Sequence, residues 1–185
     1  MLIRHATAED AEGCLEIYAP FAEETAISFE EQAPSRDEFQ RRIVRIGRTY
    51  AFLVAEDADR IAGFAYGGEH RSRPAYRWAA EVSVYLGVAH RGRGIGRALY
   101  EPLFALLEEQ GYRTLLAGIT LPNQASVALH QSLGFEQVGV YRRIGWKAGC
   151  WRDVAWLSRQ LGRDTHETGP PPSPGPPVRL ARPIE

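Results

Sequence analysis

The chain has 185 residues, with 22 Lys and Arg against 23 Asp and Glu, and 44% of its residues are hydrophobic. That is enough for one domain with a buried core, and the balanced charge excludes an overall field favouring nucleic acid or an anionic membrane. No apolar run approaches the ~20 residues of a membrane span, and Cys14 and Cys150 are too few and too far apart for a disulfide framework or a zinc site.

The start, Met1-Leu2-Ile3-Arg4-His5, alternates like a strand and lacks the basic head and apolar stretch of a signal peptide, so a soluble cytoplasmic protein is expected. Residues 3–6 form the first strand. Thr7 suits an N-cap with Asp10 three residues on, and the helix then places Ala11, Cys14, Leu15 and Tyr18 on one face until Pro20 ends it. Ser35 caps a second helix with Phe39, Ile43 and Ile46 inward and Gly47 as its stop. Strands at 50–56 and 60–66 follow, joined by the turn residues Asp57-Ala58-Asp59, and then a long strand at 78–88.

Ile95, Leu99, Leu103 and Leu106 recur at helical spacing and predict a helix reaching Gly111. Pro102 lies inside it, where the lost backbone bond costs ~3 kcal/mol in an ideal helix, so a kink is expected. A strand at 114–119, a helix at 123–133 and strands at 135–146 and 151–157 complete a mixed α/β domain over 1–162. Trp146, Trp151 and Trp156 read equally as core or as interface. From Arg163 the composition changes: residues 163–185 hold seven of the twelve prolines and no Phe, Tyr or Trp. Such a segment buries too little apolar surface to offset its ordering entropy, and a disordered proline-rich tail is expected.

The stretch Arg91-Gly92-Arg93-Gly94-Ile95-Gly96 stands between a strand and a helix. A glycine-rich turn there aims several backbone N–H groups at one spot at the positive end of the helix dipole. That is an anion site, suited to a phosphate-bearing cofactor. On the preceding strand, alternation puts Glu81, Ser83 and Tyr85 on one face and Val82, Val84 and Leu86 on the other. A carboxylate among such neighbours is either paired, for instance with Arg77 or Arg73, or functional. His130 has the same two readings, a satisfied core side chain or a proton carrier. Arg71-Ser72-Arg73-Pro74-Ala75-Tyr76 puts two guanidinium groups around a proline-stiffened turn, which suits bidentate recognition of a carboxylate or phosphinate, or is a solvated loop.

Strand, Arg-x-x-Gly-x-Gly and helix in this order resemble the acetyl-CoA signature of the GNAT N-acetyltransferase superfamily. Asn123, His130 and Gly134-Phe135 resemble that fold's fourth helix. The segment from Arg71 to Glu81, with Val84-Tyr85, Leu121-Pro122-Asn123, Leu129-His130, Thr25-Ala26-Ile27-Ser28-Phe29 and Trp151-Arg152-Asp153-Val154, is similar to the phosphinothricin N-acetyltransferase-like group, over nearly the whole chain to about Leu161. Arg71 departs from it, standing where a lysine is common.

The resemblance implies a GNAT fold, with a mixed, mostly antiparallel sheet and about four helices. It implies an acetyl-CoA-dependent, metal-free, homodimeric enzyme acetylating the α-amino group of phosphinothricin, methionine sulfoximine or methionine sulfone, of the kind that confers herbicide or antibiotic resistance. Glu81 and His130 would be catalytic. Val84, Tyr85 and Leu86 would meet the pantetheine arm, Gly92, Arg93, Gly94, Ile95, Gly96 and Arg97 the pyrophosphate, and Asn123 the cofactor beyond it. Phe29, Arg71, Arg73 and Tyr76 would contact the substrate. Acetylation of another small amine, modification of a protein and a non-catalytic acyl-CoA-binding regulatory module are the competing readings.

Overall fold

The computed structural model describes residues 1–162, Gly169 and residues 171–185. Seven strands, β1 (Leu2–His5), β2 (Phe52–Asp57), β3 (Arg60–Glu69), β4 (Ala79–Leu86), β5 (Thr114–Leu121), β6 (Glu136–Lys147) and β7 (Cys150–Gln160), form one sheet in the order β1-β2-β3-β4-β5-β7-β6. Four α-helices accompany them: α1 (Ala11–Glu23), α2 (Arg36–Gly47), α3 (Ile95–Gln110) and α4 (Gln124–Ser132). Every strand pair is antiparallel except β4 and β5.

The alternation of strand side chains divides the core into two. Phe52, Val54 and Phe64 point toward α1 and α2, where they meet Cys14, Tyr18, Phe21, Phe39 and Ile43. Leu53, Val82 and Leu115 point the other way and pack with Leu99, Leu103 and Leu107 of α3. A one-residue slip of β2 would exchange the two sets, so burial on both faces fixes its register. Asp57 and Arg60 close the β2–β3 hairpin, with Ala58 and Asp59 both at positive φ.

The parallel pair is short. Only Ala79, Ala80 and Glu81 pair with Thr114, Leu115 and Leu116. Beyond that point β4 stays bonded to β3, and β5 to β7, along their whole lengths. The sheet therefore forks at Glu81, leaving one edge of residues 82–86 and one of 117–121 without a strand partner.

Two expectations change. Helix α1 continues through Pro20 to Glu23, because the next turn buries Phe21 and Ala22, and Pro20 still accepts a bond from the Glu24 amide. Helix α3 runs past Pro102 to Gln110, the extent its spacing predicts, with Leu99, Tyr100, Leu103 and Phe104 buried on both sides of the proline. The expected disorder of residues 163–185 does not describe 171–185; residues 163–168 and Pro170 lie outside the described residues. Ile184 exchanges two backbone bonds with Ile3 at the edge of the sheet, of 2.7 and 2.9 Å, and Val178 and Leu180 pack on the core. Composition misled here because the segment is held chiefly by backbone groups, and prolines lose little freedom on ordering.

Leu99 is fully buried between α3 and the sheet. Leu99→Ala is expected to lower the unfolding free energy by about 3 kcal/mol, read from the urea midpoint with an unchanged slope.

Candidate active site

The fork opens a small cavity lined by Val82, Val84 and Tyr85 from β4, Ala117 to Thr120 from β5, and Tyr100, Asn123, Ser126 and His130 from the helices. Chain connectivity explains why it is furnished as it is. The strand β4 leads through the glycine turn into α3, and β5 leads through Pro122 into α4, so both helices begin beside the gap.

Helix α3 starts without a side-chain cap, at Gly94. Gly92 and Gly94 have φ of 72° and 81°, a conformation that a side chain disfavours. The amides of Ile95, Gly96 and Arg97 thus have no helical carbonyl to bond and stand at the positive end of a 16-residue helix. The side chains nearby are largely engaged. Arg91 donates to the Leu86 carbonyl and lies over the Phe21 ring, Arg93 is 3.6 Å from Asp57, and Arg97 bonds Glu101 and Ser132. Gly96 is closely approached by Leu129, so its small size seats α4 against α3. The site for an anion is therefore chiefly backbone. Asn123 is the N-cap of α4, its Oδ1 accepting the Ser126 amide at 3.1 Å.

His130 is buried, 3% exposed. Its Nδ1 is 2.8 Å from the Ser126 carbonyl, which can only accept, so Nδ1 carries the proton. Nε2, 3.1 Å from the Tyr100 hydroxyl, then accepts that O–H. Burial pushes the imidazole below its ordinary 6.5 against the opposing pull of the Ser126 bond, and raises the fully enclosed Tyr100 phenol well above its usual range. The pair is neutral and holds a proton beside the cavity. Both ring nitrogens are taken, so His130 makes no direct bond to Glu81.

Glu81 stands at the vertex of the fork, paired to Gly68 on one side and Leu116 on the other. Its Oε1 is 2.8 Å from Nδ1 of His70, not bonded to Arg77 or Arg73 as the sequence alternative had it. Arg77 is committed to the Pro74 carbonyl and to Ser173. His70 packs edge-on against Tyr76 and Trp156, at 5.8 and 5.7 Å, and Trp156 also meets Tyr141. The indole Nε1 of Trp156 is buried and has no hydrogen-bond partner among the described residues.

The family follows from the comparisons. The acetyltransferase (GNAT) domain model matches residues 3–156. The chain is a GNAT acetyltransferase. Phosphinothricin N-acetyltransferase of Streptomyces viridochromogenes is 36% identical to it over 176 residues, covering 95% of this chain and 93% of the relative. The L-methionine sulfoximine/L-methionine sulfone acetyltransferase of Salmonella typhimurium is 33% identical over 165 residues, 87% of this chain and 95% of the relative. A GNAT superfamily phosphinothricin acetyltransferase from Sinorhizobium meliloti, crystallised with acetyl-CoA, superposes with a TM-score of 0.86 at 36% identity, over 92% of this chain and 94% of that one.

This GNAT chain is accordingly an acetyl-CoA-dependent N-acetyltransferase, and its residues fit that donor. An uncapped helix start suits a pyrophosphate, and an unpaired strand edge suits the amides of a pantetheine arm. No helix among the described residues is long and apolar enough to cross a membrane.

The remaining site residues lie on two loops. Phe29 presses on the backbone of Gly145 so closely that any side chain there would strike its ring. Its loop is held by the buried Lys147 ammonium, which donates to the carbonyls of Ala22 and Glu30, and by Ser28, bonded to Tyr18 at 2.7 Å. Arg71 and Arg73 are exposed and border a hollow with Tyr50, Tyr112, Ser173 and Pro174. Sequence reasoning missed His70, Tyr100, Trp156 and Lys147. His70 immediately precedes the arginine loop, but only strand register sets it against Glu81.

A second histidine, the half-buried His5, accepts the Leu180 amide at Nε2, and burial with the charge of Arg179 lowers its pKa. His5 and His130 both titrate below 6.5 in the folded protein, so below that pH the unfolded chain binds more protons and stability falls as pH is lowered. Urea midpoints measured from pH 8 to 5 should be level in the upper part and decline below about 6.5, with a shallower decline in His5→Asn. A level profile down to pH 5 contradicts the neutral assignment.

Proposed function

We propose that the protein transfers the acetyl group of acetyl-CoA directly to the α-amino group of phosphinothricin or a similar amino acid with a tetrahedral polar end, such as methionine sulfoximine or methionine sulfone. The observation that carries this reading is Glu81 at the vertex of the fork, held by His70, with Tyr76 and Trp156 as aromatic walls and two arginines on the loop of Tyr76. The names of the relatives above support the same substrate class.

When bound, acetyl-CoA supplies the activated acetyl group. The amides of Ile95, Gly96 and Arg97 would hold its pyrophosphate, the free edge of Val84, Tyr85 and Leu86 its pantetheine arm, and Asn123 the part beyond. Glu81 accepts the proton of the substrate ammonium, and His70 keeps the carboxylate aimed. The neutral Tyr100–His130 pair, whose two protons are bonded to the Ser126 carbonyl and to Nε2, would have to turn one of them toward the departing sulfur to protonate it. Arg71 and Arg73 pair with the acidic groups of the amino acid, and Phe29 covers it. Deprotonating an α-amino group with a pKa of ~8 costs only one or a few kcal/mol at pH 7, whereas orientation of the reactants is worth up to ~7–11 kcal/mol. Most of the site is therefore concerned with position.

A homodimer belongs to the same proposal. Tyr141, Ile144, Trp146 and Trp151 present large apolar side chains to solvent along β6 and β7, a concentration that marks an interaction surface.

Release of free CoA thiol is expected with phosphinothricin, methionine sulfoximine and methionine sulfone, and not with polyamines. No release with any amino acid would overturn the substrate class. Glu81→Gln should lower turnover about 100-fold, most severely at low pH, with little change in acetyl-CoA affinity. Wild-type turnover by this variant across pH 6–9 removes Glu81 from the mechanism.

A further inference from the structure

The loop from Arg71 to Trp78 has little support of its own. Its one short turn, Pro74–Tyr76, is a single 3-10 turn, and residues 71 to 77 are exposed. A loop so constructed positions arginines poorly, because each long side chain adds its own freedom to that of the backbone. The support comes from the far end of the chain. Trp78 Nε1 donates to the Pro172 carbonyl at 2.9 Å, and Arg77 Nη1 donates to Ser173 Oγ at 3.2 Å. The same guanidinium donates through Nε to the Pro74 carbonyl at 2.7 Å and lies 5.1 Å over the Trp78 ring. Arg77 thus joins the turn that precedes Tyr76 to the C-terminal segment.

That segment is itself anchored on the body of the domain. The Gly175 amide donates to the Gln110 carbonyl at 2.8 Å, and the buried Gln110 side chain donates to the carbonyls of both Gly175 and Thr49. Pro174 packs on Gly111 at the end of α3. Further on, Leu180 is bonded to His5 and Ile184 to Ile3. Residues 172 to 175 therefore run between a rigid helix end and the base of the arginine loop.

We infer that residues 172–175 are a positioning strap for acceptor recognition: by holding Arg77 and Trp78, they set where Arg71, Arg73 and Tyr76 stand. The inference rests on the reading of that loop as the acceptor reader given above. The strap meets α3 at its C-terminal end, at Gln110 and Gly111, a helix length away from the glycine turn, so its loss acts on the amino acid and not on acetyl-CoA.

The test is steady-state kinetics on the full chain with phosphinothricin and methionine sulfone. Trp78→Phe with Ser173→Ala removes both bonds and keeps the ring beneath Arg77. The double variant should raise KM for the amino acid about fivefold, with kcat, KM for acetyl-CoA and Tm unchanged. Ser173→Ala alone should show part of the rise, and Ser173→Thr, which keeps the hydroxyl, should show none. Unchanged amino-acid KM in the double variant overturns the inference, as does a parallel change in both KM values with a lowered Tm. Arg73→Ala separates the two levels. If it raises the amino-acid KM and the double variant does not, the strap alone is wrong. If Arg73→Ala has no effect, the loop is not the reader and the inference falls with it.

Discussion

The structure depends on two parallel strands that pair for three residues and then part. The parting is not fraying, because each strand is fully bonded on its outer side, β4 to β3 and β5 to β7. Two half-sheets of fixed register diverge from Glu81, and the twist natural to each carries them apart. The inner edges carry backbone donors and acceptors that no strand satisfies, and such groups are costly when enclosed without a partner. A ligand with amides of its own is the natural complement, and the family to which the chain belongs uses one.

Everything chemical is placed relative to that fork by chain connectivity. The turn after β4 starts α3 at the mouth of the gap, and the turn after β5 brings α4 and His130 to its other side. Glu81 occupies the last paired position, its carboxylate bonded to His70 and about one-third exposed. The candidate side chains sit in contrasting surroundings. His130 and Tyr100 are enclosed and neutral, while the Glu81 side chain is about one-third exposed and bonded to His70.

Much of this was legible in the residues, for reasons that can be named. The glycines of the turn, the Ser35 cap and the helical spacing of Ile95, Leu99, Leu103 and Leu106 are local signals, and local physics decided them. Alternation likewise put Glu81 on the face opposite Val82. His70 was not legible, because its relation to Glu81 exists only once Gly68 is registered against Glu81. Tyr100 lies on the apolar face of α3, and nothing in that spacing signals that His130 packs on it. Pro20 and the C-terminal segment were misjudged in the same way: composition weighs side chains, whereas α1 is carried past its proline by the burial of Phe21, and the terminal segment is held by backbone bonds to Gln110, His5 and Ile3. Of the three tryptophans left open between core and interface, Trp156 packs against His70, and Trp146 and Trp151 are exposed.

The central claim is that the start of α3 and the free edge of β4 receive acetyl-CoA. Amide chemical shifts recorded while CoA is titrated into the isotopically labelled protein test it most directly. The account predicts that the largest changes fall on Gly94, Ile95, Gly96 and Arg97 and on the amides of residues 82–86, with the backbone of 71–77 nearly still. Changes concentrated at residues 71–77, or on the outer face of α2, with the α3 start unmoved, would contradict it.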